Sequence, residues 1–401
     1  MVGEKKKKEP AAQIPVEEDL DLFGDHKPKR RVPRFVYRIA VILLVCVVGL
    51  TLWVNRENIS LEGFWNWAQT QIMGTGDGGG FPAPVTGRNV EKKNLLASGN
   101  QPAVVSDTEL IVWNSTAKEL TASQHSCRYP VLCEAGGRYL VYDLGGTSYR
   151  IVTTQKTLKK GQADEKIYAA AVSESGRWAV ATGSQDYASE LTVYLEDGSK
   201  QYRYRFVDAR VTAVALSEDG SRGAVTAVTA SQGAILSRLY LFDFSESDPV
   251  SVFESRDNCL YGVSFGAGRV CAVGDRSALT LAFGAQKPSE YVYNGTLQDA
   301  SLHGDRMVLA VASYSGGSEI VEFDGGDSPV TRFSLGETVL SVDSSGTTLA
   351  VLTEGTIRTY LSGTGDKTAE RPAGSDARAI ALGNAGTAYV LGNGEVRRVD
   401  L

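Results

Sequence analysis

Residues 85–401 read as an all-β domain. The expected architecture is a β-propeller of eight four-stranded blades, with seven as the alternative count, preceded by one transmembrane helix. Three observations predict this. Turn glycines recur with a period of about 40 residues, the length of a four-stranded blade. Between them the chain alternates apolar and polar residues in short runs, the period-2 pattern of half-buried strands. Ahead of them stands a charge-free run, Ile39 to Asn55, with cations crowded on one side only.

The repeat is clearest at Val172-Ser-Glu-Ser-Gly176-Arg-Trp-Ala-Val180. It returns at Leu216–Gly220, Val263–Val273, Ser301–Arg306, Ser341–Val351 and Ala381–Val390. With earlier turns at Gly99 and Gly137, the glycines fall at 99, 137, 176, 220, 268, 304, 346 and 386. After each turn pair a further alternating strand follows, as in Leu191–Tyr194, Leu239–Phe242, Leu279–Ala282, Ile320–Phe323 and Thr356–Tyr360. A fourth strand comes next, as in Gln201–Phe206 and Glu290–Tyr293. The last unit, Arg378–Leu401, holds only three strands. A ring hides its edges by borrowing a strand from the other end of the chain, and Val85–Lys93 is the expected donor. Extra residues at Ser184–Ser189, Thr229–Ala234 and Ser313–Ser318 predict hairpins protruding on one edge.

The N-terminal part divides into three. Residues 1–34 are polar, charged and proline-bearing, and read as a disordered cytoplasmic tail. Residues 35–55 form the transmembrane helix. Its 17 uncharged residues span roughly 25 Å, and Phe35, Val36 and Tyr37 lengthen it. Lys27, Lys29, Arg30, Arg31, Arg34 and Arg38 precede it and only Arg56 follows closely. The positive-inside rule therefore puts the N-terminus in the cytoplasm and the C-terminal propeller outside it. Within residues 56–84, Leu61, Trp65, Ala68 and Ile72 share one face of an amphipathic juxtamembrane helix, and Gly74–Gly80 is a glycine-rich hinge. The expected location is the cell membrane, crossed once.

Residues 1–38 carry 10 Lys/Arg against 7 Asp/Glu, and the rest of the chain carries 31 against 40. An acidic globular part argues against nucleic-acid binding, which needs a basic face. The five cysteines build no framework. With a turn at Gly266–Gly268, Cys271 faces Val263 rather than Cys259, too far from Cys259 for a bridge. No Cys-x-x-Cys, nucleophile elbow or P-loop occurs. The three histidines, His26, His125 and His303, have no ligand spacing beside them. The expectation is no catalytic residue, no metal and no cofactor.

The stretches Val104–Glu119, Gln124-His-Ser126 with Pro130, and Tyr142-Asp-Leu-Gly-Gly146 resemble one uncharacterised bacterial family. Its members are membrane-anchored propellers, WD-repeat-like or PQQ-like, mainly of Gram-positive anaerobes. The resemblance implies fold and topology, and it implies no activity. The sequence lacks both the Gly-His…Trp-Asp pairs of WD repeats and the docking motif of PQQ enzymes. His125, Tyr142 and Asp143 lie in the most family-like stretch and are the candidate contacts for a ligand or partner. Two functions are expected: a non-enzymatic binding module for a protein or glycan at the cell surface, or a carbohydrate-active hydrolase or lyase with its site in the propeller channel.

Overall fold

The structure is a computed structural model and describes residues 78–384 and 386–401. The predicted tail, transmembrane helix and residues 56–77 lie outside the described residues. Among the described residues no helix is long and apolar enough to cross a membrane.

The described chain is a ring of eight antiparallel four-stranded blades. Blades 1 to 7 take residues 95–124, 130–162, 167–206, 210–256, 260–292, 295–335 and 339–374 in order, each with consecutive strands A to D. Blade 8 draws A, B and C from Ala379–Leu382, Thr387–Leu391 and Glu395–Asp400. Its D strand is Ala83–Pro84, from the other end of the chain. Closure by the N-terminal segment is therefore as the sequence predicts, but the donor lies before the expected Val85–Lys93. The ladder is short, Ala83 opposite Val396 and Pro84 opposite Glu395, and ends where Val85 N donates to Gly394 O. From there the chain crosses to the axis and makes one 3-10 turn, Lys92–Asn94. Lys92 Nζ donates to Leu340 O in blade 7, and Lys93 Nζ to Asp299 Oδ1 and Ala300 O in blade 6.

All eight predicted turn glycines sit in A–B turns, with φ between +57° and +88°. Only glycine adopts this backbone without strain, so the periodic signal in the sequence is a conformational requirement. One register expectation needs correction. The turn in blade 5 has two residues, Ala267 and Gly268, because Gly266 pairs with Arg269. Cys271 therefore faces Ser264, not Val263. All four described cysteines are free.

Antiparallel order puts the A–B turns and C–D loops on one face of the ring, and the D–A and B–C loops on the other. These are called the A–B face and the D–A face. Eight separate apolar cores each join two neighbouring blades, including blade 8 to blade 1. The gap between radiating blades widens from axis to rim, and the side chains follow it. Between blades 3 and 4, Ala169, Ala171, Ala179 and Ala181 occupy the inner strands. Tyr204, Phe206, Tyr240 and Phe242 fill the outer ones, with Phe206 edge-on to Tyr240 at 5.0 Å. Such ring pairs add about 0.5–1.5 kcal/mol beyond burial.

A recurrent serine in the first turn-proximal residues of strand C ties it to the loop that enters the next blade. Ser189 Oγ donates to Ala209 O (2.8 Å) and accepts from Val211 N (3.2 Å). Ser237 Oγ donates to Asn258 O (2.7 Å) and accepts from Leu260 N (3.0 Å). Ser318 Oγ donates to Glu337 O (2.8 Å). Each latch satisfies buried loop groups that would otherwise cost stability.

Candidate functional site

His125 lies in the D–A loop between blades 1 and 2, and Asp143 ends strand B of blade 2, so both belong to the D–A face. The His125 ring is held on both sides. Its Nδ1 accepts from Cys127 N (3.2 Å), which leaves Nε2–H to donate to Ser106 O (3.1 Å). Burial lowers its pKa, so the ring is neutral at pH 7. Asp143 Oδ1 accepts from Arg128 N (2.8 Å) and Tyr129 N (2.9 Å), fixing the loop that follows His125. Tyr142 is placed differently. It is buried in the core between blades 2 and 3, its hydroxyl bonded to the Ala170 backbone, and burial raises its pKa. The structure therefore brings His125 and Asp143 together and sends Tyr142 into the core.

Beside His125 a cleft of 440 Å³ opens between blades 1 and 2, lined by Ser126, Cys127, Ser148, Tyr149, Arg150, Lys160 and Gln162 among others. Arg150 and Lys160 are direct cross-strand partners on strands C and D of blade 2. Sequence reasoning passed over both, since each alone is an ordinary surface cation. Their opposition appears only once the register is fixed.

The A–B face carries a second group. His303 ends strand A of blade 6, and its Nε2 lies 2.7 Å from Asp343 Oδ1 of blade 7. Asp343 also accepts from Ser301 Oγ (2.7 Å) in blade 6 and from Leu382 N (2.7 Å) in blade 8. One carboxylate thus binds three blades. Burial alone would raise its pKa, but the charge and hydrogen bond of His303 outweigh it and the net shift is downward. Burial likewise opposes charging of His303, and Asp343 reverses that and raises its pKa. Glu134 of blade 2, on the opposite side of the ring, accepts from Ser98 Oγ (3.0 Å) and Gly137 N (2.8 Å); burial raises its pKa. A cleft of 370 Å³ at this mouth is lined by His303, Asp305, Arg306, Ser344 and Leu382, and by Ala97 of blade 1. The repeat could have revealed these groups. Glu134, Ser173, Ser217, Ser301 and Asp343 all stand three residues before a turn glycine. Among the described residues no three His, Cys, Asp or Glu side chains are grouped to hold a metal ion.

The D–A face is also where loops lengthen. Strands B and C of blade 4, Arg222–Ser231 and Ala234–Asp243, stay paired to a turn at Gln232-Gly233. They extend past the last pairing of strand A at Val228. Exposed apolar side chains gather on the same face: Tyr129, Val207, Ile235, Tyr261, Val292 and, 82% exposed, Tyr314.

This is an eight-bladed β-propeller whose D–A face carries both its projecting hairpin and its exposed aromatic residues. The chain belongs to a family of unknown function, DUF5711, whose model matches residues 86–313. No curated relative matches it. Among solved structures it is similar to the C-terminal WD40 domain of Sif2 (TM-score 0.57, 11% identity, 80% of this chain and 99% of that one). It is also similar to Chaetomium thermophilum Sqt1 bound to the N-terminus of ribosomal protein L10 (TM-score 0.53, 13% identity, 80% and 100%). BamB from Moraxella catarrhalis is a further likeness (TM-score 0.50, 11% identity, 80% and 100%). At these identities the likeness is one of fold.

Proposed function

We propose that this protein is a single-pass membrane-anchored, extracytoplasmic binding or scaffolding module for a protein or glycan at the cell surface. The observation that carries the binding reading is the D–A face, which carries the long blade 4 hairpin together with Tyr261, Val292 and Tyr314, all solvent-exposed. Exposed apolar groups on a rigid scaffold cost solubility and are the usual material of a recognition surface. Sqt1, of the same fold, is described bound to a segment of another protein, so the scaffold supports such a role. The anchoring part of the reading rests on the charge-free run 39–55 and its one-sided cations.

Two experiments test it. Protease added to intact cells should degrade the propeller and spare the N-terminal tail; the reverse pattern overturns the topology. A photo-crosslinking residue at Tyr314 should give a recurrent adduct that the same residue at Leu158, on the outer strand of blade 2, does not. Equal labelling from both positions overturns the binding surface.

The alternative, a carbohydrate-active hydrolase or lyase with its site in the channel, is favoured by one observation: the His303–Asp343 pair and Glu134 both stand at the A–B mouth, on opposite sides of the ring. The hydrogen bonds of Asp343 and Glu134 join blades, which suits a structural duty better. Turnover of a glycan by the wild-type chain, lost in His303→Gln, would reverse that judgement.

A further inference from the structure

Blade 2 departs from the charge logic of the rest of the ring. Where strands C and D pair two charged residues elsewhere, the signs are opposite: Glu190 with Arg205, Arg238 with Glu254 and Arg358 with Glu370. Each of those pairs is also an ion pair. In blade 2 the corresponding partners are Arg150 and Lys160, both cations. Like charges directly opposite each other on a sheet repel. Among the described residues neither makes an ion pair with a carboxylate, and Lys160 Nζ makes no hydrogen bond. This occurs in a chain whose globular part is acidic overall.

The pair also lines a cavity. The 440 Å³ cleft between blades 1 and 2 is walled by both cations, the Ser126 and Ser148 hydroxyls and the Gln162 amide, while the Tyr149 ring turns to the other side of the sheet, into the core shared with blade 3. The Arg150 guanidinium is oriented: Nη1 donates to Ser123 Oγ (3.0 Å) and Gln124 O of blade 1, leaving Nε and Nη2 for another acceptor. A guanidinium fixed on one side offers its remaining donors as a fork suited to a carboxylate or phosphate. His125, at the cleft wall, is kept neutral by burial and adds no third charge.

We propose that the cleft between blades 1 and 2 is an oxyanion-binding subsite that takes a carboxylate or phosphate group of a ligand between Arg150 and Lys160. The anion replaces the acid that blades 3, 4 and 7 build into their own sheets. The hydroxyls and the Gln162 amide would meet the uncharged remainder of the ligand. The inference deepens the binding-module reading by naming the chemistry of one ligand group. It rests on that reading for its purpose, and its own test needs neither the membrane nor a partner.

The test is a calorimetric titration of the full-length chain in detergent with glucuronic acid, glucose 6-phosphate and inorganic phosphate, and with glucose as the neutral control. Wild type should bind at least one anion and ignore glucose. A preference for glucuronic acid assigns the subsite to acidic sugars, and a preference for the phosphates assigns it to phosphoryl groups. The informative variant is Lys160→Glu, which restores the pairing found in blades 3, 4 and 7 and places a carboxylate where the anion would sit. Its affinity should fall about tenfold or more, the worth of one charge-assisted contact. Its melting temperature without ligand should equal or exceed that of wild type. A wild type that binds none of the anions, or a Lys160→Glu chain that binds them unchanged, overturns the proposal. Loss of crosslinks from Tyr314 with anion binding intact would instead sink the binding-module reading and leave the subsite standing.

Discussion

Asp343 offers the most stringent test of how the ring is held. Its carboxylate is buried and accepts from Ser301, His303 and the Leu382 amide, joining blades 6, 7 and 8. Asp343→Asn keeps the shape and puts an amide N–H where an acceptor is needed. Either the Leu382 amide or a blade 6 donor then loses its partner, and His303 loses its counter-charge. His303 is half exposed, so the loss is chiefly that of one buried acceptor, about 1–3 kcal/mol. Unfolding entropy is about 2.1 cal/mol/K per residue, or roughly 0.7 kcal/mol/K over the propeller, so the melting temperature should fall by about 1.5–4 °C. The effect should depend on pH. A histidine whose pKa is raised on folding adds stability that is complete below about 6.5 and lost as pH rises through the raised value. A carboxylate whose pKa is lowered adds stability present above about 3.9 and lost as pH falls through the lowered value. Both contributions are therefore whole between about pH 4 and 6.5. Thermal unfolding of the full-length chain by circular dichroism at pH 5.5 and pH 9 should show the larger wild-type advantage at pH 5.5. A variant that melts within 1 °C or so of wild type at pH 5.5, or a gap that widens at pH 9, refutes the argument.

Other outcomes follow from single contacts. Ser237→Ala leaves Leu260 N and Asn258 O without the buried hydroxyl and should cost about 1–3 kcal/mol, with faster amide exchange at Leu260. Ala83→Pro removes the N–H that faces Val396, in a ladder whose other residue is already proline, and should loosen blade 8; limited proteolysis should then release fragments cut near residues 83–85 before any other. Burial pushes the Cys133 and Cys271 thiols up to about 12, so at pH 8 both should react with a disulfide reagent at least tenfold or so more slowly than in denaturant. Reduction should leave the intact mass of the native protein unchanged, because the described cysteines are free.

The fold was legible because its most repeated requirement is local. Each A–B turn needs a left-handed residue, and glycines at 99 through 386 mark the positions one by one. The strands between them follow from alternation. What failed was the count inside a turn. Reading the turn as Gly266–Gly268 rather than Ala267-Gly268 moved Cys271 by one place, and a one-place slip in a strand exchanges faces. The donor strand was misplaced for a related reason. Val85 and Val90 are apolar because they pack between blades 8 and 1, and they read as strand although only Ala83 and Pro84 form the closing strand. Site residues were less legible. Tyr142 looked like a contact because it lies in the most family-like stretch, yet strand alternation turns it into the core. His303 looked isolated because Asp343, its partner, lies 40 residues away and meets it only through blade stacking. Arg150 and Lys160 acquire meaning only as a cross-strand pair.

Blades 1 to 7 are each complete in one continuous stretch of chain, whereas blade 8 joins residues more than 300 positions apart. During synthesis the first seven sheets can form as they emerge, but the closing strand must wait for the last of the eighth to appear. Until then Ala83 and Pro84 have no neighbour to pair with, and the flank of blade 1 that later meets blade 8 is bare. A partly delivered chain of this protein is thus an unfinished circle. Chaperone contact should concentrate on that seam and end abruptly once residues 395–400 reach the compartment in which the ring folds.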